Sequence, residues 1–269
     1  MKLYIVADME GIAGVVSPAQ IDGSSSWEAD AARRQFTDEV CAVCGGAFEA
    51  GVKAITINDF HGGGRNLLID RLPLDAMLVR GDFRSTAGFD LLDSTYCGLV
   101  LLGAHARTAS RGAVIPHTYS DKVRFEIFGQ PVGEFDLLSL VAGEEKVPTI
   151  LISGDEKTIE QAHTNLPATH TVITKFGISS KSALCIHPKR VIEALHDEIQ
   201  KAVKDISSIE PPGIVPPTQL VIRIEDVSLA ERIEWIPNLR RLEDDTFEYV
   251  GRSMREIARL VYGITILTE

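Results

Sequence analysis

The chain is poor in positive charge. Lys and Arg together number 27 against 38 Asp and Glu, a formal net charge of −11 over 269 residues. Phosphate backbones and anionic lipid surfaces are held by basic footprints, so neither nucleic acid nor membrane is an expected partner. Cysteine is scarce, and four residues in a chain of this length do not make a disulfide framework. No apolar stretch approaches the roughly 18 residues of a membrane-spanning helix. The first apolar run, Leu3 to Ala7, is too short for the core of a secretion signal and leads straight into the carboxylates of Asp8 and Glu10. Internal repeats and low-complexity tracts are also missing. These absences point to a soluble, cytoplasmic protein.

The remaining composition is that of a globular chain, 45% hydrophobic and 24% charged, which excludes disorder as a description of the whole. Short apolar runs at Leu3–Ala7, Ala54–Asn58, Ala76–Val79 and Leu99–Gly103 read as buried strands. Trp27–Ala50 has helical spacing, with Phe36, Val40, Val43 and Ala47 on one stripe and Gly51 behind it. Phe89–Asp93 reads as a short helix. Val123–Phe128 and Pro131–Val132 read as a hairpin with Gly129 in its turn. Helix, strand, helix and strand follow at Phe135–Glu145, Thr149–Ser153, Glu156–Asn165 and Val172–Lys175, then a long amphipathic helix over Pro188–Ser207. Alternation of this kind predicts an α/β fold: a mostly parallel, doubly wound sheet with helices on both faces. The segment 211–217 holds four prolines and is the one clear linker. Beyond it, strand, helix, strand, helix predict a small α+β appendage. The expected division is a large unit over 1–210 and a small one over 211–269.

Polar residues cluster at strand ends. Asp8 and Glu10 follow the first strand, and their i, i+2 spacing puts both carboxylates on one side of an extended chain. Asn58-Asp59-Phe60-His61 closes the second strand, and Gly103-Ala104-His105 closes the fourth. In parallel α/β sheets, ligands bind beyond the carboxyl ends of the strands. Asp8, Glu10, His61 and His105 are thereby delivered to one edge, and Glu134, after the hairpin, adds another carboxylate. Carboxylates mixed with imidazoles suit Zn²⁺, Mn²⁺ or Co²⁺. Each residue also has an ordinary reading. A single strand-end histidine is usually a polar loop residue, and Asp8 can serve as a backbone cap. Two like charges as close as Asp8 and Glu10 repel unless a cation or water compensates them.

The run Ala7-Asp8-Met9-Glu10-Gly11-Ile12-Ala13-Gly14 resembles the opening D-x-E-G motif of the zinc-dependent D-aminopeptidases. The resemblance continues through Asn58-Asp59-Phe60-His61, Gly103-Ala104-His105-Ala106-Arg107, His117 and Pro131-Val132-Gly133-Glu134, in the same order. It implies a metallo-aminopeptidase that acts on short peptides or amino-acid amides with an N-terminal D-residue. It also implies two zinc ions held by Asp8, Glu10, His61, His105 and Glu134, with Asp8 bridging, and a catalytic role for His117. Family members form large ring-like homo-oligomers, so self-association is a further implication. Gly62-Gly63-Gly64 departs from the bulkier polar residues of the family at that point, which bears on pocket shape.

Other signals carry less. Cys41 and Cys44 form a lone C-x-x-C in the middle of a helix, without further zinc ligands and away from a helix N-terminus, and read as packed small side chains. Cys97 and Cys185 read as core. Gly62-Gly63-Gly64-Arg65 lacks the lysine of a phosphate loop and reads as a lip beside His61. Arg107 and Arg111 are candidates for clamping a substrate carboxylate. His163, His170, His187 and His196 show no acidic partner pattern and read as structural. Two alternatives stay open: a dinuclear hydrolase of another amide or a phosphoester, with Arg65, Arg107 and Arg111 as its cations, and a catalytically silent, metal-stabilised assembly subunit.

Overall fold

The computed structural model describes residues 1–23, 25–82 and 88–267. In chain order the elements are β1 (Lys2–Ala7), α1 (Ser26–Glu49), β2 (Ala54–Asp59), β3 (Ala76–Val79), β4 (Gly98–Ala104), β5 (Val123–Ile127), β6 (Gln130–Val132), α2 (Glu134–Glu144), β7 (Thr149–Asp155), α3 (Glu156–Asn165), β8 (His170–Ser179), β9 (Ser182–Cys185), α4 (Pro188–Asp205), β10 (Thr218–Ile224), α5 (Val227–Ile233), β11 (Arg240–Glu243), β12 (Thr246–Gly251) and α6 (Met254–Ile266). Among the described residues no helix is long and apolar enough to cross a membrane.

The main sheet has the order β3-β2-β1-β4-β7-β8-β9, parallel except for β9. Its strands are apolar on both sides because both sides are covered. Leu3, Ile5 and Ala7 of β1 enter one core with α1 and α4, whereas Tyr4 and Val6 enter the other with α2 and α3. Phe36, Val40, Val43 and Ala47 are the buried stripe of α1, as their spacing predicts. The α1 and α4 backbones approach closely at Gly46, where a Cβ would lie 2.4 Å from the His196 carbonyl oxygen.

A second, antiparallel sheet has the order β11-β12-β10-β5-β6 and shares the core of α2. The expected boundary at 210/211 falls between α4 and β10, but β10 pairs directly with β5 (Leu220 opposite Ile127). The sheet of the C-terminal segment is therefore completed by the earlier hairpin. That hairpin turns through Phe128 and Gly129, both with positive φ (53° and 71°), the two-residue geometry that favours glycine.

Three expectations fail locally. Residues 89–93 form turns and no helix: Leu91 sits at φ 64°, and the Phe89 and Leu92 carbonyls that a helix would use accept from Arg255. Strand β8 runs on to Ser179 and pairs with β9, an edge strand of four residues, too short to show a pattern in the sequence. Cys185, expected in the core, is exposed on that edge; Cys44 is buried, and burial pushes its thiol up to about 12.

Candidate metal centre

Strand order places the site. From β1 the chain moves outward through β2 to β3, then returns to the other flank of β1 with β4. The carboxyl ends of β1 and β4 thus border the point where the winding direction reverses, the usual crevice in open α/β sheets. The loop after β1 is pressed onto the end of β4. Gly11 N donates to Gly103 O at 2.8 Å, and a Cβ on Gly11 would lie 2.0 Å from Ala104 O. Gly103, at φ 69°, faces Asp8 O with equally little room, 2.1 Å from where its Cβ would stand. Both clashes are with backbone, so glycine at these positions is what lets Asp8 and Glu10 stand beside His105.

His61 is delivered by the turn after β2. Asp59 folds that turn by accepting from Asn66 N, Asn66 Nδ2 and Leu67 N, and Asn66 Nδ2 also donates to His61 O at 2.7 Å. Glu134 is the first residue of α2, where a carboxylate meets the positive end of the helix. Its Oε1 also accepts from Tyr119 N at 2.5 Å.

The six side chains converge. His61 Nδ1 lies 3.2 Å from Asp8 Oδ1 and 3.0 Å from Glu10 Oε2. His105 Nε2 lies 3.5 Å from Asp8 Oδ2 and 3.3 Å from Glu134 Oε1. The His117 ring stacks on that of His105, centroids 4.0 Å apart and planes 7° from parallel, and its Nε2 is 3.8 Å from both Glu10 Oε1 and Glu134 Oε1. Each of these two histidines has Nδ1 against a backbone carbonyl, that of Ala106 for His105 (3.2 Å) and that of Ile115 for His117 (3.0 Å). Nδ1 of each ring is thus engaged by the backbone, and Nε2 is the atom turned into the cluster.

Burial sets the electrostatics. Desolvation, reinforced by the charge of Glu10, raises the Asp8 carboxyl to about 7 despite His61 and His105. For His105 burial opposes the charged ring, but Glu134, Glu10 and Asp8 outweigh it and raise the ring to about 10. Burial likewise opposes the shifts of Glu10 and His61, and their mutual attraction prevails: Glu10 is lowered and His61 is raised. Three buried carboxylates thus demand positive charge at one point.

A divalent cation fits that demand. His105 Nε2 is buried and makes no aligned hydrogen bond. Ligand atoms of Asp8, Glu10 and His105 fall within 4.8 Å of one another, and so do those of His105, His117 and Glu134. The donors are carboxylate oxygens and neutral imidazole nitrogens, a set suited to zinc. Two tests follow. Metal binding must expel the proton that His105 holds below a pH of about 10, so affinity should rise with pH through neutrality. Calorimetry in two buffers of different ionisation enthalpy should register proton release, and binding without release would contradict this. Gly11→Ala should weaken metal affinity by about 10- to 100-fold, the scale on which supports of ligands act; chelator competition against the parent protein measures it.

A cavity of about 430 Å³ opens over Asp8, Glu10, His61, His117 and Glu134. Its walls include Phe60, Gly62, Gly63 and Tyr119, and, from the far C-terminal α6, Tyr262, Thr265 and Ile266. Nothing in the sequence marks the α6 residues, because a fold closing back over 130 residues leaves no local pattern. Arg107 and Arg111, singled out as clamps, do not line the cavity; Arg107 is near Asp136 and Arg111 is exposed. The histidines read as lacking acidic partners include two that have them: His170 lies 2.7 Å from Glu198 and 3.1 Å from Asp205, and His196 lies 3.2 Å from Glu49. Glu198, Asp205 and Glu49 are all remote in sequence from the histidine they meet, whereas Asp197, 3.4 Å from His196, is its neighbour.

The model of the M55 peptidase family, described as D-aminopeptidase, matches residues 1–262. A D-aminopeptidase of Bacillus subtilis (strain 168) is 32% identical over 237 residues, covering 87% of this chain and 84% of the relative. The solved structure of the Zn-dependent D-aminopeptidase DppA from Bacillus subtilis, described as a self-compartmentalizing protease, superposes with a TM-score of 0.93 at 27% identity, covering 99% of this chain and 97% of that one.

Proposed function

Because the chain belongs to the M55 peptidase family of D-aminopeptidases, we propose that it is a zinc-dependent aminopeptidase that removes an N-terminal D-residue from short peptides or amino-acid amides through a dinuclear site. The observation that carries this reading is the buried convergence of three carboxylates and three imidazoles, with His105 Nε2 left unsatisfied, beneath a cavity of dipeptide scale. Asp8, Glu10, His61, His105 and Glu134 would hold the ions, Asp8 being the carboxylate nearest both His61 and His105. Zinc, when bound, supplies Lewis acidity toward a carbonyl oxygen and toward water.

The remaining work falls to the chain. His117 Nε2 faces the cluster, and its side chain is 25% exposed, against 2% for that of His105. It is placed to accept a proton from the attacking water and return it to the leaving nitrogen. Phe60, Tyr119 and Tyr262 form an aromatic wall, with Tyr119 edge-on to both other rings, that shields the reacting centre from solvent. The acidic floor suits the ammonium of a substrate N-terminus. A phosphoester, whose leaving group calls for cations, is the competing substrate class.

The reading extends to assembly and location: a homo-oligomer in the cytoplasm, ring-like as in the family. Support comes from the self-compartmentalizing description of DppA and from the exposed apolar side chains of Trp27, Leu74, Met77 and Trp235. A panel of D-alanyl amides, L-alanyl amides and aryl phosphates tests the activity. Preferential turnover of the D-amides is expected. Phosphatase activity alone, or a bound metal with no turnover at all, would replace the reading.

A further inference from the structure

Lys175, near the middle of β8, is a lysine with none of its surface exposed. Its ammonium is spent on the backbone of the loop that carries Asp8 and Glu10: Nζ donates to Glu10 O at 2.5 Å and to Ile12 O at 2.7 Å. The adjacent Thr174 Oγ1 donates to Gly11 O at 2.5 Å, and Glu39 Oε1, from α1, accepts from Ala13 N at 2.8 Å. Residues 10 to 13, beyond the end of strand β1, are thus tied by side chains of β8 and α1. Glu10 itself sits between the tie at its carbonyl and the His61 ring at its carboxylate.

A charge so deeply buried is costly unless it is paired and hydrogen-bonded. Asp155 and Glu39 supply the opposite charge around Lys175. A neutral apolar side chain of similar volume would leave two carbonyls unsatisfied, and the loop would be free to relax away from β4. None of Lys175, Thr174 or Glu39 reaches the cavity, so their effect passes through the loop.

We propose that Lys175 is a positioning residue: by clamping the carbonyls of Glu10 and Ile12 it fixes where the Asp8 and Glu10 carboxylates stand relative to His61 and His105, and so sets zinc affinity. This rests on the metal reading given above. Lys175→Met, of nearly equal length and without donors, should keep the fold by circular dichroism and lose about 10- to 100-fold in zinc affinity, the range for groups that orient ligands. Zinc alone is the probe, measured by chelator competition on the full chain. Ile199→Ala, in α4 and remote from the loop, serves as the stability control and should retain wild-type affinity.

Wild-type affinity in folded Lys175→Met, or a loss no larger than that of Ile199→Ala at a matched drop in Tm, overturns the proposal. Should Lys175→Met not fold, Lys175→Leu, which also lacks donors, is judged by the same criteria. Failure of both to fold in excess zinc would make Lys175 a residue of the fold alone, and would also overturn the positioning role. A wild-type chain that binds no zinc would instead overturn the metal reading itself.

Discussion

Asp8→Ala is expected to remove bound metal and peptide hydrolysis together, more completely than any other single change in the cluster. Asp8 is the carboxylate that reaches both imidazole groups: Oδ1 lies 3.2 Å from His61 Nδ1 and Oδ2 lies 3.5 Å from His105 Nε2. Without it Glu10 and His61 remain as a pair, and His105 and Glu134 keep only His117 as a third neighbour. Removing Glu134 leaves Asp8, Glu10 and His61 in place, so a partial loss is expected there. Loss of metal in Asp8→Ala should not be a by-product of unfolding. In the metal-free chain, burial and the charge of Glu10 already press this carboxyl toward its neutral form, up to about 7, so deleting it relieves repulsion. Metal content and turnover on the same sample, with circular dichroism as the control, check the prediction. Two equivalents of zinc in Asp8→Ala would show that Asp8 does not bridge.

His117→Ala should separate metal from turnover. His117 enters from the loop between β4 and β5, backed by the carbonyl of Ile115 and the face of His105. Its Nε2 stands 3.8 Å from both Glu10 and Glu134, beyond hydrogen-bonding reach, and its ring is the most open of the three. A ring held by its neighbours and facing the floor of the cavity can carry a proton while the ligand set closes without it. The variant should keep its zinc and lose about 10²- to 10⁴-fold in kcat, the scale of a positioned acid–base group. The same geometry sharpens the competing outcome, since His105, His117 and Glu134 also present ligand atoms within 4.8 Å of one another. Loss of zinc from His117→Ala would make it a ligand, and unchanged turnover would take it out of the reaction.

The sequence made legible those features whose cause is local. The stripe from Phe36 to Ala47, the apolar runs of β1, β2 and β4, and the Gly129 turn all obey short-range periodicity or backbone preference, and the structure has them. That Asp8, Glu10, His61 and His105 lie together was legible because each follows a parallel strand, and chain order brings those ends to one edge. Features caused by distant contacts were not legible. Residues 89–93 have helical composition but are held as turns by Arg255 from α6. The α6 wall of the cavity and the clamp from Lys175 to the β1 loop link residues more than 130 positions apart. A lysine between Ile173 and Phe176 in a strand was the available hint of the latter, since such a charge is buried only when something meets it.

The central claim is that one cluster holds two metal ions, and anomalous diffraction at the zinc edge from a zinc-loaded crystal of this protein tests it most directly. Two anomalous peaks per chain are predicted, both beside Asp8 and among Glu10, His61, His105 and Glu134. A single peak, peaks away from Asp8, or none at all would contradict it.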